Sequence, residues 1–310
     1  LEDRSVLHYL MRRLGGAIPT LFVIIAGTFF LMRLAPGGPF ARERKVPPEV
    51  EANLLKAYHL DEPLWQQFLR YLNGLIHGDF GPSFKYKDFS VAELIFQGFP
   101  ISLQLGAIAI ILALVIGLAL GIWAALRQNS WIDYATMSVS MVGIAVPNFV
   151  IAPVLTLIIG LQLQLLPVGG WGKPGNYVLP IVALCLPQIA AIARLTRASM
   201  IEVLSSNFVR TARAKGLRES VTITRHAIRA AVLPVVSYLG PAIANIITGS
   251  VVVEQIFSIP GIGRYFVQGS LNRDYTLVMG VTVFYGVLII ICNLIADLLY
   301  GVLDPKVRYD

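Results

Sequence analysis

Between positions 194 and 229 the chain gathers Arg194, Arg197, Arg210, Arg213, Lys215, Arg218, Arg225 and Arg229, with only Glu202 and Glu219 against them. This +6 excess makes up most of the formal net charge of +7. Charge at this density can hold a loop on the inner side of a bilayer, attract an anionic polymer or dock a partner protein. Asn207 opens the centre of the run as a good N-cap, and Gly216 closes it as a good residue for the position after a helix. Arg213 and Lys215 suit the negative end of the helix dipole. Two turns of short helix are therefore expected over Asn207, Phe208, Val209, Arg210, Thr211, Ala212, Arg213, Ala214, Lys215 and Gly216. Thr211, Ala212 and Ala214 are small, so a partner surface can come close. The competing reading is a solvated loop whose charge only fixes topology.

Other reactive side chains are sparse. His59 with Asp61 and Glu62, and His77 with Asp79, can be drawn as a metal site, but the spacing matches no strong ligand motif and ordinary polar surface is favoured. Gly172-Lys173 lacks the upstream glycine of a phosphate cradle, and no HExxH, CxxC or GxSxG is present. No catalytic residue, metal or cofactor is expected on this chain. Asp297 is the only aspartate in a predicted span; it reads equally as part of a proton relay or as the partner of an arginine or backbone amide. Cys185 and Cys292 lie in apolar runs and read as packed small hydrophobes.

The elements that carry these residues are membrane spans. Of 310 residues, 56% are hydrophobic and 14% charged, and the mean hydropathy is +0.69. A soluble domain has roughly 25% charged residues. The calculated isoelectric point near 9.5 could suggest nucleic acid, but the positive charge sits mostly in one loop, and membrane topology explains it better. Uncharged runs predict spans at 15–32, within 94–126, at 134–160, 176–193, 230–254 and 275–303. The first run follows Arg12-Arg13, which places the N-terminus inside, and it is long enough to stay as an anchor. Six spans bring the C-terminus back inside.

The organisation expected is an N-terminal tail and first span over 1–35, an extracytoplasmic helical segment over 36–98, and a five-helix core over 99–310 with an inner loop at 198–228. Amphipathic stretches near 48–59 and 63–76 belong to the outer segment. Gly117 and Gly121 form a GxxxG that permits close helix contact. Pro147 and Pro153 are expected to interrupt the third span, and Pro180 and Pro187 to break the fourth. Pro241, Asn245 and Thr248 share a helical face by their spacing. Asn148, Gln188, Asn245 and Thr248 are uncharged polar residues beside these prolines. They are candidates for a polar path through the membrane; interhelical hydrogen bonding is the equal alternative.

From Arg210 to Gly216 the residues become recognisable. Arg-Thr-Ala-Arg-Ala-Lys-Gly-Leu, followed by His226-Ala-Ile-Arg-Ala-Ala-Val-Leu-Pro234, resembles the inner-membrane permeases of binding-protein-dependent ABC importers. The general signature of that family is Glu-Ala-Ala, three residues, Gly, nine residues, then Ile-x-Leu-Pro. Here Arg210 stands for the Glu, Thr211 for the first Ala, and His226-Ala227-Ile228-Arg229 for the last four. These departures resemble the peptide branch, which takes in oligopeptide, dipeptide, nickel and glutathione importers. Met32-Arg-Leu-Ala-Pro-Gly37, His77-Gly-Asp-Phe-Gly-Pro-Ser-Phe84, Pro260-Gly-Ile-Gly-Arg264, Leu271-Asn-Arg-Asp-Tyr275 and Asp297-Leu-Leu-Tyr-Gly-Val-Leu-Asp-Pro305 agree, and the likeness is strongest to B-type subunits of oligopeptide permeases.

The resemblance implies an all-α, polytopic type I ABC importer fold in the bacterial inner membrane. It also implies a homologous C-type permease partner, two ATP-binding subunits that hold ATP and Mg, and a periplasmic peptide-binding protein. The short helix over 207–216 would then be a coupling helix seated in an ATP-binding subunit. Peptide is the implied substrate, with dipeptides, glutathione or nickel chelates as alternatives. An autonomous channel or secondary transporter is the rival class; it calls for midplane charges or an inverted repeat, and neither stands out.

Overall fold

The computed structural model of the chain describes residues 2–34, 49, 53, 55–56, 58–86 and 88–303. Helix α1 is Glu2–Leu34, α2 is Leu64–Ile76 and α3 is Val91–Leu126. They are followed by α4, Trp131–Ala145, and α5, Asn148–Leu155, which runs into a π-helical turn over Thr156–Gln162. Helix α6 is Pro174–Leu204 and α7 is Asn207–Ala214. Short helical pieces from Glu219 to Ala231 lead to α10, taking Glu219–Val221 as α8 and Ile228–Ala231 as α9. Helix α10 is Leu233–Ile256, α11 is Ile262–Leu271 and α12 is Tyr275–Leu303.

Among the described residues five helices are long and apolar enough to cross a membrane: Arg13–Leu34, Val91–Leu126, Pro174–Leu204, Leu233–Ile256 and Tyr275–Leu299. Trp131–Ala145 and Asn148–Gln162 pass the same test together but meet at 103°. With this bent pair as one span the protein is an all-α membrane protein of six spans, as expected. The bend falls at Val146-Pro147, where proline cannot donate to the helix and disfavours α geometry before it. Pro153 lies inside α5 without ending it.

The chain divides into two compact units. One comprises Leu1–Ser5, Ser102–Ile259 and Ile289–Asp310. Helix α6 runs through its middle, with 61% of its most apolar window buried. Gly117 and Gly121 form the close contact that their spacing permits. A Cβ at Gly117 would stand 2.9 Å from Ile192, and one at Gly121 would stand 2.6 Å from the Ala193 carbonyl oxygen. Gly143 of α4 meets Ala190 in the same way. Helix α6 continues through Pro180 and Pro187, which corrects the break expected there. Each proline removes one backbone donor, but Pro180, Ala183 and Leu184 are buried among neighbours, so packing holds the helix together where propensity would end it.

The second unit comprises Val6–Ile101 and Pro260–Leu288. Its core is Val91, Leu94, Ile95, Ile262, Leu277 and Val281. Outside that core, Phe68 of α2 packs on α1 through Phe22, Phe29 and Phe30, with ring centroids 6.2, 5.2 and 5.4 Å away. Asp274, fully buried, ties the loop before α3 to the start of α12. It accepts from Ser83 Oγ at 2.5 Å and from the backbone N–H groups of Phe84, Lys85 and Leu277 at 3.2, 3.1 and 3.1 Å. Two of the sequence stretches quoted above, 77–84 and 271–275, therefore meet at one carboxylate.

Candidate coupling interface and transport path

The short helix in the basic loop forms, one residue away from where its cap was expected. Ser206 is the N-cap, with φ −69° and ψ 156°, and Asn207 is the first helical residue. Ser206 Oγ donates to the Val203 carbonyl at 2.6 Å, so its side chain secures the preceding turn. The other end is a Schellman stop. Leu217 N–H donates to Ala212 O at 3.3 Å and Gly216 N–H to Arg213 O at 2.9 Å. Gly216 takes φ +76°, which glycine adopts without steric cost.

One face of α7 is occupied by the protein itself. Val209 is fully buried in a cluster with Ala125, Met200, Ala227 and Ala231, and Ala212, three residues on, is 6% exposed. The expectation that Ala212 faces a partner is corrected. At 100° per residue it shares the face of Val209, and its small size serves the helix's own seat. Asn207, Phe208, Arg210, Thr211, Arg213, Ala214, Lys215 and Gly216 are exposed. Phe208 is 48% exposed. Arg213 forks onto Glu219 at 3.1 and 2.6 Å, and this hydrogen-bonded guanidinium holds the Glu219 carboxylate below its usual range. The pair is open to water and contributes little stability; it orients the exit from α7.

The four polar residues of the membrane part separate into two kinds. Gln188 is buried and accepts a hydrogen bond from Tyr238 Oη at 3.0 Å. This is the interhelical bond left open as the alternative above. Asn245 and Thr248 are exposed on α10, in a stripe with Ser237, Pro241, Val252 and Gln255. Thr248 Oγ1 donates back to the carbonyls of Ala244 and Asn245 at 3.0 and 3.2 Å, so the hydroxyl is satisfied within its own helix. Asn148, at the bend, lies against Gly249: a Cβ there would stand 2.6 Å from Asn148 Nδ2. Its Oδ1 is buried without a hydrogen-bond partner among the described residues.

Of the residues that could hold a metal, His59 Nδ1 lies 3.1 Å from Glu62 and His77 Nδ1 is 2.7 Å from the Asn73 carbonyl. Among the described residues no three His, Cys, Asp or Glu side chains converge on a metal position. Cys185 is buried in α6 and Cys292 half-buried in α12. Asp297 is half-buried in the same helix.

Residues 6–106 match the N-terminal component, and residues 117–309 the main component, of the model for inner-membrane components of binding-protein-dependent transport systems. The chain belongs to this family. It is 54% identical to the Oligopeptide transport system permease protein OppB of Haemophilus influenzae over 306 residues, covering 98% of this chain and 100% of that protein. It is 46% identical to the Dipeptide transport system permease protein DppB of Bacillus subtilis, covering 97% and 98%. A solved amino acid ABC transporter chain aligns with a TM-score of 0.49 at 19% identity, over 69% of this chain and 94% of that one. The protein is thus a multi-pass inner-membrane transport permease. Sequence reasoning did not single out Asp133, Tyr238 or Asp274 as partners in this permease. Asp133 carried one signal, as a lone acid beside the polar Arg127-Gln128-Asn129 loop, and Asp274 lay in the quoted stretch 271–275; Tyr238 carried none.

Proposed function

We propose that this permease is the B-type subunit of an ATP-driven importer of oligopeptides. Its partners are a homologous C-type permease, two ATP-binding subunits that hold ATP and Mg, and a periplasmic peptide-binding protein. This chain supplies the membrane path, and its partners supply the hydrolysis. Residues 36–98 lie outside, the loop over 198–228 inside, and both termini are cytoplasmic. The 99–310 core carries the coupling helix.

The observation that carries this reading is the two-faced geometry of α7. Val209 and Ala212 anchor the helix to the permease, while Phe208, Thr211, Ala214 and the basic side chains face outward. A helix held on one side and open on the other can pass motion from a docked ATP-binding subunit to α6 and α10. ATP binding draws the two ATPases together and pulls α7, the spans tilt, and the cavity opens outward to receive peptide from the binding protein. Hydrolysis reverses the tilt. This is rigid-body alternating access. Asn245 and Thr248 contribute to the path, with Asn148 at its bend; Gln188 supports the wall.

Affinity purification of the tagged permease from native membranes tests the assembly. An ATPase and a second permease should co-purify in stoichiometric amounts, and uptake of a labelled tri- to pentapeptide should depend on all of them. Competition for uptake by dipeptide, glutathione or nickel chelate, but not by longer peptides, would move the substrate class to one of those alternatives. A permease that transports alone would reject the importer reading.

A further inference from the structure

Away from the transport path, the C-terminal end of α1 meets α2. A cavity of about 230 Å³ lies there, lined among others by Arg33, Tyr58, His59, Gln67, Arg70 and Tyr71. Arg33 Nε, Tyr71 Oη and Gln67 Oε1 are each buried without a hydrogen-bond partner among the described residues. Native interiors leave very few such groups unpaired, and three at one cavity call for a ligand.

Their chemistry is specific. The Gln67 amide is fixed, because Nε2 donates to the carbonyls of Leu60 and Glu62 at 3.1 and 2.7 Å. Its Oε1 is therefore an acceptor in want of a donor, and Gln67 is only 7% exposed. Arg33 lies over the Phe29 ring at 5.3 Å, and that ring stacks on Tyr71 with centroids 5.9 Å apart, so both donors are held in place. Burial pushes the Tyr71 phenol above its ordinary range, and it stays a donor. Arg70 and His59 are turned to Glu62 at 2.6 and 3.1 Å. The unpaired groups of the cavity are thus two donors, one of them cationic, beside one acceptor; the Asp79 carboxylate also lines it, with Oδ1 accepting from the Gly81 N–H at 2.8 Å. The cavity fits an anionic oxygen followed within a few bonds by an N–H or O–H group.

The surroundings name the source. Leu31 and Leu34 at the end of α1 are each 72% exposed, and α2 exposes Trp65, Leu69 and Ile76. These last three fall on one side of the helix by their spacing. An amphipathic helix with an exposed tryptophan, packed on the end of a span, belongs at the bilayer interface. We propose that this cavity is a headgroup site for a phospholipid whose phosphate is followed by a primary ammonium or a hydroxyl. The phosphate takes Arg33 and Tyr71, the terminal donor takes Gln67, and the acyl chains lie along the apolar surface. A choline headgroup, which has no N–H, leaves Gln67 Oε1 unpaired and binds less well.

The test is native mass spectrometry of the assembled transport complex after delipidation. Phosphatidylethanolamine, phosphatidylglycerol and phosphatidylcholine of identical chains are added back separately. One ethanolamine or glycerol lipid should be retained per permease more tightly than the choline lipid, by about tenfold for the ammonium, which makes a hydrogen bond from a charged group, and severalfold for the neutral hydroxyl. Arg33→Gln should lower retention at least tenfold, and Gln67→Leu should abolish the headgroup preference while leaving lipid bound. Tyr71→Phe, which removes one oxygen and keeps the ring stack, should weaken retention severalfold if Arg33→Gln does not assemble. Equal retention of all three lipids, or wild-type retention by Tyr71→Phe, would overturn the site. Displacement of lipid by glycerophosphoethanolamine or inorganic phosphate at equal concentration would assign it to a soluble phosphate. Displacement by a tripeptide alone would assign it to peptide termini, and either result defeats the lipid proposal.

Discussion

The Arg197 guanidinium forks onto Asp133, with Nε on Oδ1 and Nη2 on Oδ2 at 2.7 Å. Asp133 is 1% exposed and the Arg197 side chain 24%. The Asn129 N–H adds a third bond to the same carboxylate at 2.9 Å. The pair fastens the first turn of α4 to the part of α6 that leads into α7. Loss of one partner strands a buried charge. Arg197→Met strands the buried Asp133 carboxylate and should therefore destabilise the permease by about 3–5 kcal/mol, and Asp133→Ala with Arg197→Met should recover much of that loss. Thermal unfolding of the purified complex measures both. If the double variant is as unstable as the single one, the stranded charge is not the cause.

The two faces of α7 should separate experimentally. Ala214→Asp and Phe208→Asp lie on the open face and should leave permease levels unchanged while ATPase co-purification falls at least tenfold. Ala212→Asp places a charge at a buried position, so the permease itself should be depleted from the membrane. Gly216→Val keeps the loop charge but forces a β-branched residue to φ +76°, and it should uncouple without loss of insertion. Normal ATPase recovery with both open-face variants would leave the loop as a topology signal.

Topology is readable by cysteine labelling in a background lacking Cys185 and Cys292. Asp88 and Ser205 are both exposed. An impermeant maleimide added to intact spheroplasts should label Asp88→Cys and spare Ser205→Cys until the membrane is opened. Labelling of Ser205→Cys in sealed spheroplasts would invert the assigned orientation.

On α10 the exposed pair Asn245 and Thr248 predicts a steric block. Thr248→Trp and Asn245→Trp should abolish peptide uptake while the complex still assembles. Gln188→Leu, which removes the acceptor of the Tyr238 hydroxyl, should instead lower thermal stability by about 1 kcal/mol and reduce uptake only in proportion to permease level. Full uptake by both tryptophan variants would take the path away from this stripe.

Much of the fold was legible because apolar length is a strong signal. The last predicted span begins at Tyr275, where α12 starts, and Gly117 and Gly121 lie in the close contact their spacing suggested. What failed was local reasoning at places where tertiary packing decides. Pro180 and Pro187 look like breaks, yet α6 is surrounded and stays whole. Ala212 looks like partner surface because it is small, but helix phase turns it inward with Val209. The partners of Asp133, Asp274 and Tyr238 were hidden for another reason: Arg197, Ser83 and Gln188 lie far away in sequence. No spacing rule reaches across 64 or 191 positions.

The most direct measurement is ATP hydrolysis and peptide accumulation in proteoliposomes that hold this permease, its permease partner and the two ATP-binding subunits. Hydrolysis should rise at least severalfold when peptide-loaded binding protein is added on the side of residues 36–98, with labelled peptide accumulating in step. Ala214→Asp should abolish both while the permease remains in the membrane. Peptide accumulation that persists without ATP or without the ATP-binding subunits would contradict a coupled importer.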